Sequence, residues 1–342
     1  MVCDKNKRRG FIVTLKELAQ KINISPSTIS RVLNDKPGIS QKTRDIVFQA
    51  AKKEGFAPNY MAKNLATSKA KFIGIVARKR FQDQDTIFFS QTLSQFQDIL
   101  VSNGFIVIPL YYNEDEIDFT NNPLSPQDFA GFIVRGQSIP NKTILSLQKY
   151  NIPFVLLENN LREPLVNCVI CDDFELEYQL TKKVIDKGFT RVLHITGPSS
   201  WYNNSERIKG YQKAINEANI KSEIYNLPDT TIDFGKASFS LLDILDDERV
   251  GITFGNDAMA IGFIYAIRAT ALVIPGNICI TGFDDIPWAH LSNPPLTTAK
   301  IAVAQMGRLA AARLVDLINN KDLNSNPVKI VVAGEIIERE SC

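Results

Sequence analysis

Pro26, Ser27, Ser30 and Arg31 fall on one side of a short helical pattern whose other side carries Ile29, Val32 and Leu33. Small groups beside one long cation can enter a DNA major groove, where an arginine can bond guanine O6 and N7 together. An ordinary helical hairpin would carry the same apolar face, so the surroundings have to decide. Catalytic spacings are missing elsewhere in the chain. No G-x-G-x-x-G follows a strand, and there is no Walker A run and no G-x-S-x-G elbow. The two histidines, His194 and His290, sit in no recognisable dyad. Cys168 and Cys171 have C-x-x-C spacing, but on a strand they face opposite sides, and no second pair completes a zinc site. Asp284 and Asp285 are adjacent at a strand end and diverge, so one suits a ligand contact and the other a structural bond. The pattern points away from an enzyme and calls for no cofactor or metal.

The elements that position the Ser27–Arg31 face are legible. Thr14 caps a first helix and Glu17, three residues on, completes a capping box. Leu15, Leu18, Ala19 and Ile22 give that helix an apolar stripe. Asn23 and Ile24 make a tight joint, Ser25 caps the second helix, and Pro26 suits its first turn. A turn-rich loop, Asn34–Gly38, leads to a third helix capped by Ser40, with Ile46, Val47, Ala50 and Ala51 inward and Gly55 closing it. Pro58 then breaks the pattern, and Tyr60–Ala66 can form about two turns of helix, too short to stand alone. Residues 1–13, with Lys5, Lys7, Arg8 and Arg9, show no periodicity and read as a disordered basic arm that touches phosphates or is inert.

Net charge is +2 over 342 residues, but residues 1–69 carry +9 and the remainder −7. A basic head on a mildly acidic body suggests that the head alone meets a polyanion. The 44% hydrophobic content is ample for globular cores. No run approaches the ~20 apolar residues of a membrane span, and no signal-peptide pattern opens the chain. Five cysteines point to a reducing cytoplasm rather than a disulfide scaffold. From Phe72 onward, short apolar runs alternate with helical periodicity: 72–77, 105–110, 131–136, 153–158 and 167–172, then 192–197, 251–256 and 278–284. A late strand-to-helix unit lies in Thr297–Asn320. Two such series argue two doubly wound parallel-sheet lobes, with ligands at the strand C-termini.

The run Thr14–Leu33, the segment APNYMAKNLA (57–66) and the strand KFIGIV (71–76) resemble the lactose-repressor (LacI/GalR) family of bacterial transcription regulators, and the likeness spans roughly residues 14–340. It implies an all-α helix-turn-helix head plus an α/β, periplasmic-binding-protein-like body of two doubly wound parallel-sheet lobes. The expected divisions are a helix-turn-helix domain at 14–58 and a hinge helix at 59–70. A first lobe takes 71–171 with 300–330, and a second takes 172–299 with 331–342. The resemblance implies a homodimer or tetramer on double-stranded, near-palindromic operator DNA, most often as a repressor, with a sugar-like effector between the lobes. The DNA-facing set is then Thr14, Ser25, Pro26, Ser27, Thr28, Ser30, Arg31, Asn34 and Lys36, with Lys63 and Leu65 in the hinge. Leu65 sits at the position of a minor-groove wedge. Lys63 keeps the charge of a more usual arginine but not its fork.

For the effector, the resemblance implies Phe88, Phe89, Arg135, Glu158 and Asp172 from the first lobe or the crossover. Asn203, Arg207, Phe234, Asn256 and Asp284 come from the second. Carboxylates and planar guanidinium groups can each bind adjacent hydroxyls, and aromatic rings pack on a pyranose face. Phe88 and Phe89 have an alternative as core residues, and Asn256 or Asp257 as a helix cap. Arg135 suits an anionic or unusually polar ligand, or a salt bridge with Glu158. Arg207, three residues before Gly210, is the principal ligand candidate. A purine or nucleoside effector and a sugar-active enzyme with a DNA-binding head are the competing functions.

Overall fold

In the computed structural model, the described residues are 14–33, 36–54, 56, 72–78, 95–112, 117, 124–161, 165–244, 248–320 and 326–342. The arm at 1–13, Asn34, Gly55, the hinge segment 59–70 with Lys63 and Leu65, and Phe88 and Phe89 lie outside them. The chain separates into two compact units, Met1–Lys69 and Ala70–Cys342.

Among its described residues, the first unit holds three helices: α1 (Leu15–Ile22), α2 (Pro26–Leu33) and α3 (Gln41–Lys53). Thr14 caps α1 through a complete capping box. The Thr14 amide donates to Glu17 Oε2 at 2.7 Å, and the Glu17 amide to Thr14 Oγ1 at 3.3 Å. That carboxylate accepts two bonds from Thr14, which hold its pKa below the usual value. Asn23 ends α1 in the left-handed region (φ 53°), which asparagine tolerates better than most residues. Ser25 Oγ accepts from the Thr28 amide at 3.1 Å and Ser40 Oγ from the Thr43 amide at 3.3 Å, so each later helix has its expected cap. Leu18, Ile29, Val32 and Val47 are fully buried where the three helices meet. Each contributes roughly 1.5–3 kcal/mol of apolar burial to this small core. Ile46 departs from expectation and is 42% exposed. The inward stripe of α3 runs through Val47 and Ala51, and Ile46 lies one residue, about 100°, to its side.

The second unit contains two six-stranded sheets among the described residues. The first has the order β11-β5-β4-β3-β1-β2 and is parallel throughout. Its strands are β1 (Phe72–Arg78), β2 (Ile106–Tyr112), β3 (Phe129–Arg135), β4 (Phe154–Leu157), β5 (Cys168–Cys171) and β11 (Lys329–Val332). The second has the order β12-β10-β9-β8-β6-β7, parallel except where β12 meets β10. It comprises β6 (Arg191–Thr196), β7 (Glu223–Asn226), β8 (Val250–Phe254), β9 (Ile278–Asp284), β10 (Thr297–Lys300) and β12 (Glu335–Ile337). Helices α4 (Asn141–Gln148), α5 (Asp173–Asp186), α6 (Tyr202–Glu217), α7 (Ile232–Ser238), α8 (Asp257–Ile267) and α9 (Val303–Asn319) connect and cover these sheets. The strands are near-continuous apolar runs because parallel sheets are covered on both faces.

The chain passes between sheets three times: after β5, after β10 and after β11. The last crossing follows Val332, which still pairs with Cys171 of β5, so residues 331 and 332 belong to the first lobe rather than the second. Helix α9 returns to the first lobe and packs on β3, β4 and β5. Cys279 of β9 and Cys342 form a disulfide, Cα atoms 4.6 Å apart, where reduced thiols were expected. Val184 of α5, Val192 of β6 and Tyr211 and Ile215 of α6 pack there, so the two sulfurs meet inside a core cluster. Cys168 and Cys171 are free and buried, and they do pack into cores on opposite faces of the sheet. Burial pushes the Cys168 thiol up to about 11 and Cys171 higher still. His194 is fully buried, with Nδ1 2.8 Å from Thr253 Oγ1 and 3.3 Å from Glu177 Oε1, a structural placement. Among the described residues, no helix is long and apolar enough to cross a membrane.

Candidate functional site

Parallel strands of both lobes end at one cleft, which is lined by residues of each. From the first lobe, Arg135 is the last residue of β3, Gly136 and Gln137 follow it, and Glu158 follows β4. From the second come Asn203 and Arg207 on α6, Thr230 after β7, Asn256 at the start of α8 and Asp284 at the end of β9. Ile301, at the second crossing, forms part of the wall. Three of these residues have left-handed backbones: Gly136 (φ 110°), Glu158 (φ 60°) and Asp284 (φ 112°). The glycine adopts this freely, but the two acids carry about 1–3 kcal/mol of strain each, a cost that concentrates at binding sites.

Arg207 organises the second-lobe wall. Its Nε and Nη2 both lie 2.8 Å from Asp173 Oδ1, and Nη1 donates to the Gly255 carbonyl. Nη2 is 3.7 Å from Asp284 Oδ1, and the guanidinium lies 3.6 Å over the Phe283 ring. The approach is possible because of Gly210. A Cβ there would lie 2.3 Å from the Phe174 carbonyl oxygen, so only glycine lets α6 sit against the start of α5, where Asp173 is. On the opposite wall, Arg135 Nε donates to Glu158 Oε2 at 3.0 Å, with both side chains buried. Burial pushes the Asp173 carboxyl up to about 6 against the pull of Arg207. Burial raises Asp284 well above the carboxylate range; Arg207 opposes this, and Asp257, Glu158 and Asp173 add to it as like charges. Burial alone would lower the Arg207 pKa, but Asp173 and Asp284 hold it above its usual value.

Six of the expected ligand residues therefore meet: Arg135, Glu158, Asn203, Arg207, Asn256 and Asp284. Asn256 serves twice, since its Oδ1 caps α8 through the Met259 amide at 2.9 Å and its Nδ2 donates to the Thr230 carbonyl. Asp172 and Phe234 are not among the cleft's described lining residues. Asp172 caps α5 through the Glu175 amide at 3.2 Å, and its neighbour Asp173 faces the cleft arginine instead. Phe234 packs on the second-lobe core because Thr231 starts α7 there and turns its first residues onto that core. Asp285 diverges from Asp284 and bonds Arg339 Nη2 at 2.6 Å. Sequence reasoning missed Gln137, Thr230 and Asp173. Gln137 stands two residues beyond Arg135 at a readable strand end. Thr230 follows β7, a half-exposed edge strand with no apolar run to announce it. Among the described residues, no cluster of His, Cys, Asp and Glu could hold a metal ion.

In the head, Pro26, Ser27 and Arg31 are exposed on α2, as are Ser25 before it and Lys36 after it, while Thr28 and Ser30 are half-buried. Ser25 Oγ lies 2.9 Å from Ser27 Oγ and 2.8 Å from Thr28 Oγ1, a hydroxyl cluster at the start of the helix. Thr14 is exposed but committed to its capping box. Arg31 Nη2 donates to the Pro37 carbonyl at 2.8 Å and Arg44 Nη2 to that of Lys36 at 2.7 Å, so two arginines hold the loop between α2 and α3.

Residues 14–59 match the family described as bacterial regulatory proteins, lacI family, and residues 181–342 match the periplasmic binding protein-like domain. The chain is 27% identical over 334 residues to the probable HTH-type transcriptional repressor ExuR of Bacillus subtilis, covering 96% of this chain and 98% of that one. It superposes on the lac repressor dimer bound to operator and the anti-inducer ONPF with TM-score 0.79 at 20% identity, covering 97% and 99% of the two chains. A transcriptional regulator CelR–cellobiose complex gives TM-score 0.69 at 24% identity, covering 96% and 99%. With its three-helix head and two-lobed body, this chain belongs to the lacI family of bacterial regulatory proteins.

Proposed function

We propose that this chain is a homodimeric, sequence-specific DNA-binding regulator, a repressor, whose hold on a near-palindromic operator is controlled by a sugar or sugar derivative in the inter-lobe cleft. It works in the bacterial cytoplasm. The observation that carries the effector reading is the convergence of Arg135, Glu158, Asn203, Arg207, Asn256 and Asp284 at the strand C-termini of both lobes. Groups from two lobes on one ligand favour the closed arrangement, and that differential binding is what lets a ligand shift a conformational equilibrium. The relatives support it: one solved neighbour holds cellobiose, and another holds an anti-inducer together with operator DNA. A purine effector is less well supported, because none of the cleft's described lining residues is aromatic.

The test is selection of binding sites from random duplex DNA by the full chain, followed by titration of the selected site with sugars, sugar phosphates and nucleobases. Expected are a near-palindromic consensus and release, or tightening, by a sugar. Recovery of no consensus, or a response to nucleobases alone, would overturn the reading.

A further inference from the structure

The charges in the cleft discriminate further than hydroxyl recognition requires. The two guanidinium groups among its described lining residues are engaged by this chain's own carboxylates, Arg135 by Glu158 and Arg207 by Asp173, with Asp284 close behind. All of these side chains are buried or nearly so, which leaves little water to screen an added charge. Among the described residues, each lining arginine already faces a carboxylate of this chain, so the cleft offers no uncommitted positive charge to an anionic ligand. Burial and the neighbouring acids already disfavour the ionised form of Asp284. A carboxylate or phosphate arriving here would have to displace a carboxylate from an arginine or stand unpaired beside one, and a buried unpaired charge is costly.

The buried atoms that lack partners point the same way. Gln137 Oε1, Asn203 Oδ1 and Asp173 Oδ2 are buried acceptors without a donor. Acceptors of this kind are satisfied by O–H groups, which a neutral sugar presents at every substituent and which the ionised end of a uronate or sugar phosphate lacks. Resting on the effector reading above, we propose that the cleft selects an uncharged, hydroxyl-rich sugar and rejects uronates and sugar phosphates, and that the Arg135–Glu158 ion pair sets this preference.

The experiment is a matched panel on the full chain by thermal shift and calorimetry: D-glucose, D-glucuronate and D-glucose 6-phosphate; D-galactose and D-galacturonate; cellobiose; hypoxanthine and guanosine. At least one neutral sugar should raise the unfolding midpoint, and it should bind about ten-fold or more tightly than its own uronate or phosphate. In Glu158→Gln, which keeps the side-chain size but removes the negative charge that Arg135 bonds, the ratio should move toward the uronate by about ten-fold. The double variant R135Q/E158Q, which removes both charges, should restore the neutral preference. Should E158Q fail to fold, the wild-type ratio still decides. Tighter binding of a uronate or phosphate than of its neutral parent overturns this inference and leaves the sugar-effector reading standing. Binding of nucleobases alone, or of no member of the panel, overturns both.

Discussion

Arg207 and Arg31 both change meaning once their partners are known. Sequence reasoning made Arg207 a hydroxyl-binding group facing a ligand. The folded chain gives it a structural task as well, because its guanidinium neutralises Asp173, a carboxylate with 1% exposure. Arg207→Ala should therefore abolish the effector response and also destabilise the body by about 3–5 kcal/mol, since it strands a buried charge. Urea unfolding of the body reads the second effect, and a midpoint within error of wild type would show that Asp173 does not depend on this arginine. Arg31 is a matching case in the head. Its bond to the Pro37 carbonyl uses Nη2 and orients the guanidinium, leaving other N–H groups of the fork for a base edge. Arg31→Ala should cost ~1–3 kcal/mol of operator affinity and relax one base position. Affinity that falls equally for every base-pair variant would mean that Arg31 acts by holding the loop.

Among elements, most of those that periodicity exposed were buried ones. β1, β3, β4, β5, β8 and β9 are each four or more residues of nearly continuous burial, and their apolar runs stood out against the helices between them. β7 and β12 went unread because they are only four and three residues long and each opens on a glutamate, whereas β2, also a part-exposed edge strand, is legible through Ile106, Val107, Ile108 and Leu110. The same logic explains the site. Arg135, Glu158 and Asp284 sit at the ends of readable strands, whereas Thr230 depends on an unread one. Asp173 lay beside a correctly located crossover but one residue from the expected acid, since capping and facing the cleft are tasks for consecutive residues. The α5–α6 contact through Gly210 offers an element-scale test. Gly210→Ala puts a Cβ on the Phe174 carbonyl and must push α6 away, costing about 1–3 kcal/mol by overpacking. The displacement carries Arg207 with it, so effector affinity should fall while operator affinity without effector is kept. Unchanged effector affinity in a correctly folded variant would detach the helix contact from the site.

Over the whole molecule, the three crossings between lobes came from family resemblance, not from any local pattern, because pairing between β11 and β5 joins residues about 160 positions apart. What the sequence could not reveal was how many acids those crossings bury together. Burial raises Asp173 to about 6 and Asp257 to about 7, and raises Asp284 well above its ordinary value. For Asp257, the Thr298 hydroxyl and the Ile286 amide, at 2.6 and 2.8 Å, oppose that rise without cancelling it. A carboxyl whose pKa is higher folded than unfolded binds more protons in the native state between the two values, so stability there falls as pH rises. The unfolded reference lies near 3.8 and the upper limits near 6 and 7, so the window runs from about pH 4 to pH 7. Exposed acids with lowered pKa, such as Glu17 and Glu338, act in the opposite sense but only near and below their ordinary value of 4.5. The body should accordingly be more stable at pH 5.5 than at pH 8, with its thermal midpoint higher by several degrees. Asp257→Asn should remove part of that slope, since an amide keeps the size of the side chain but cannot ionise. A midpoint that is flat or rises from pH 5.5 to 8 would mean that these acids are held as anions by cations on the same unit.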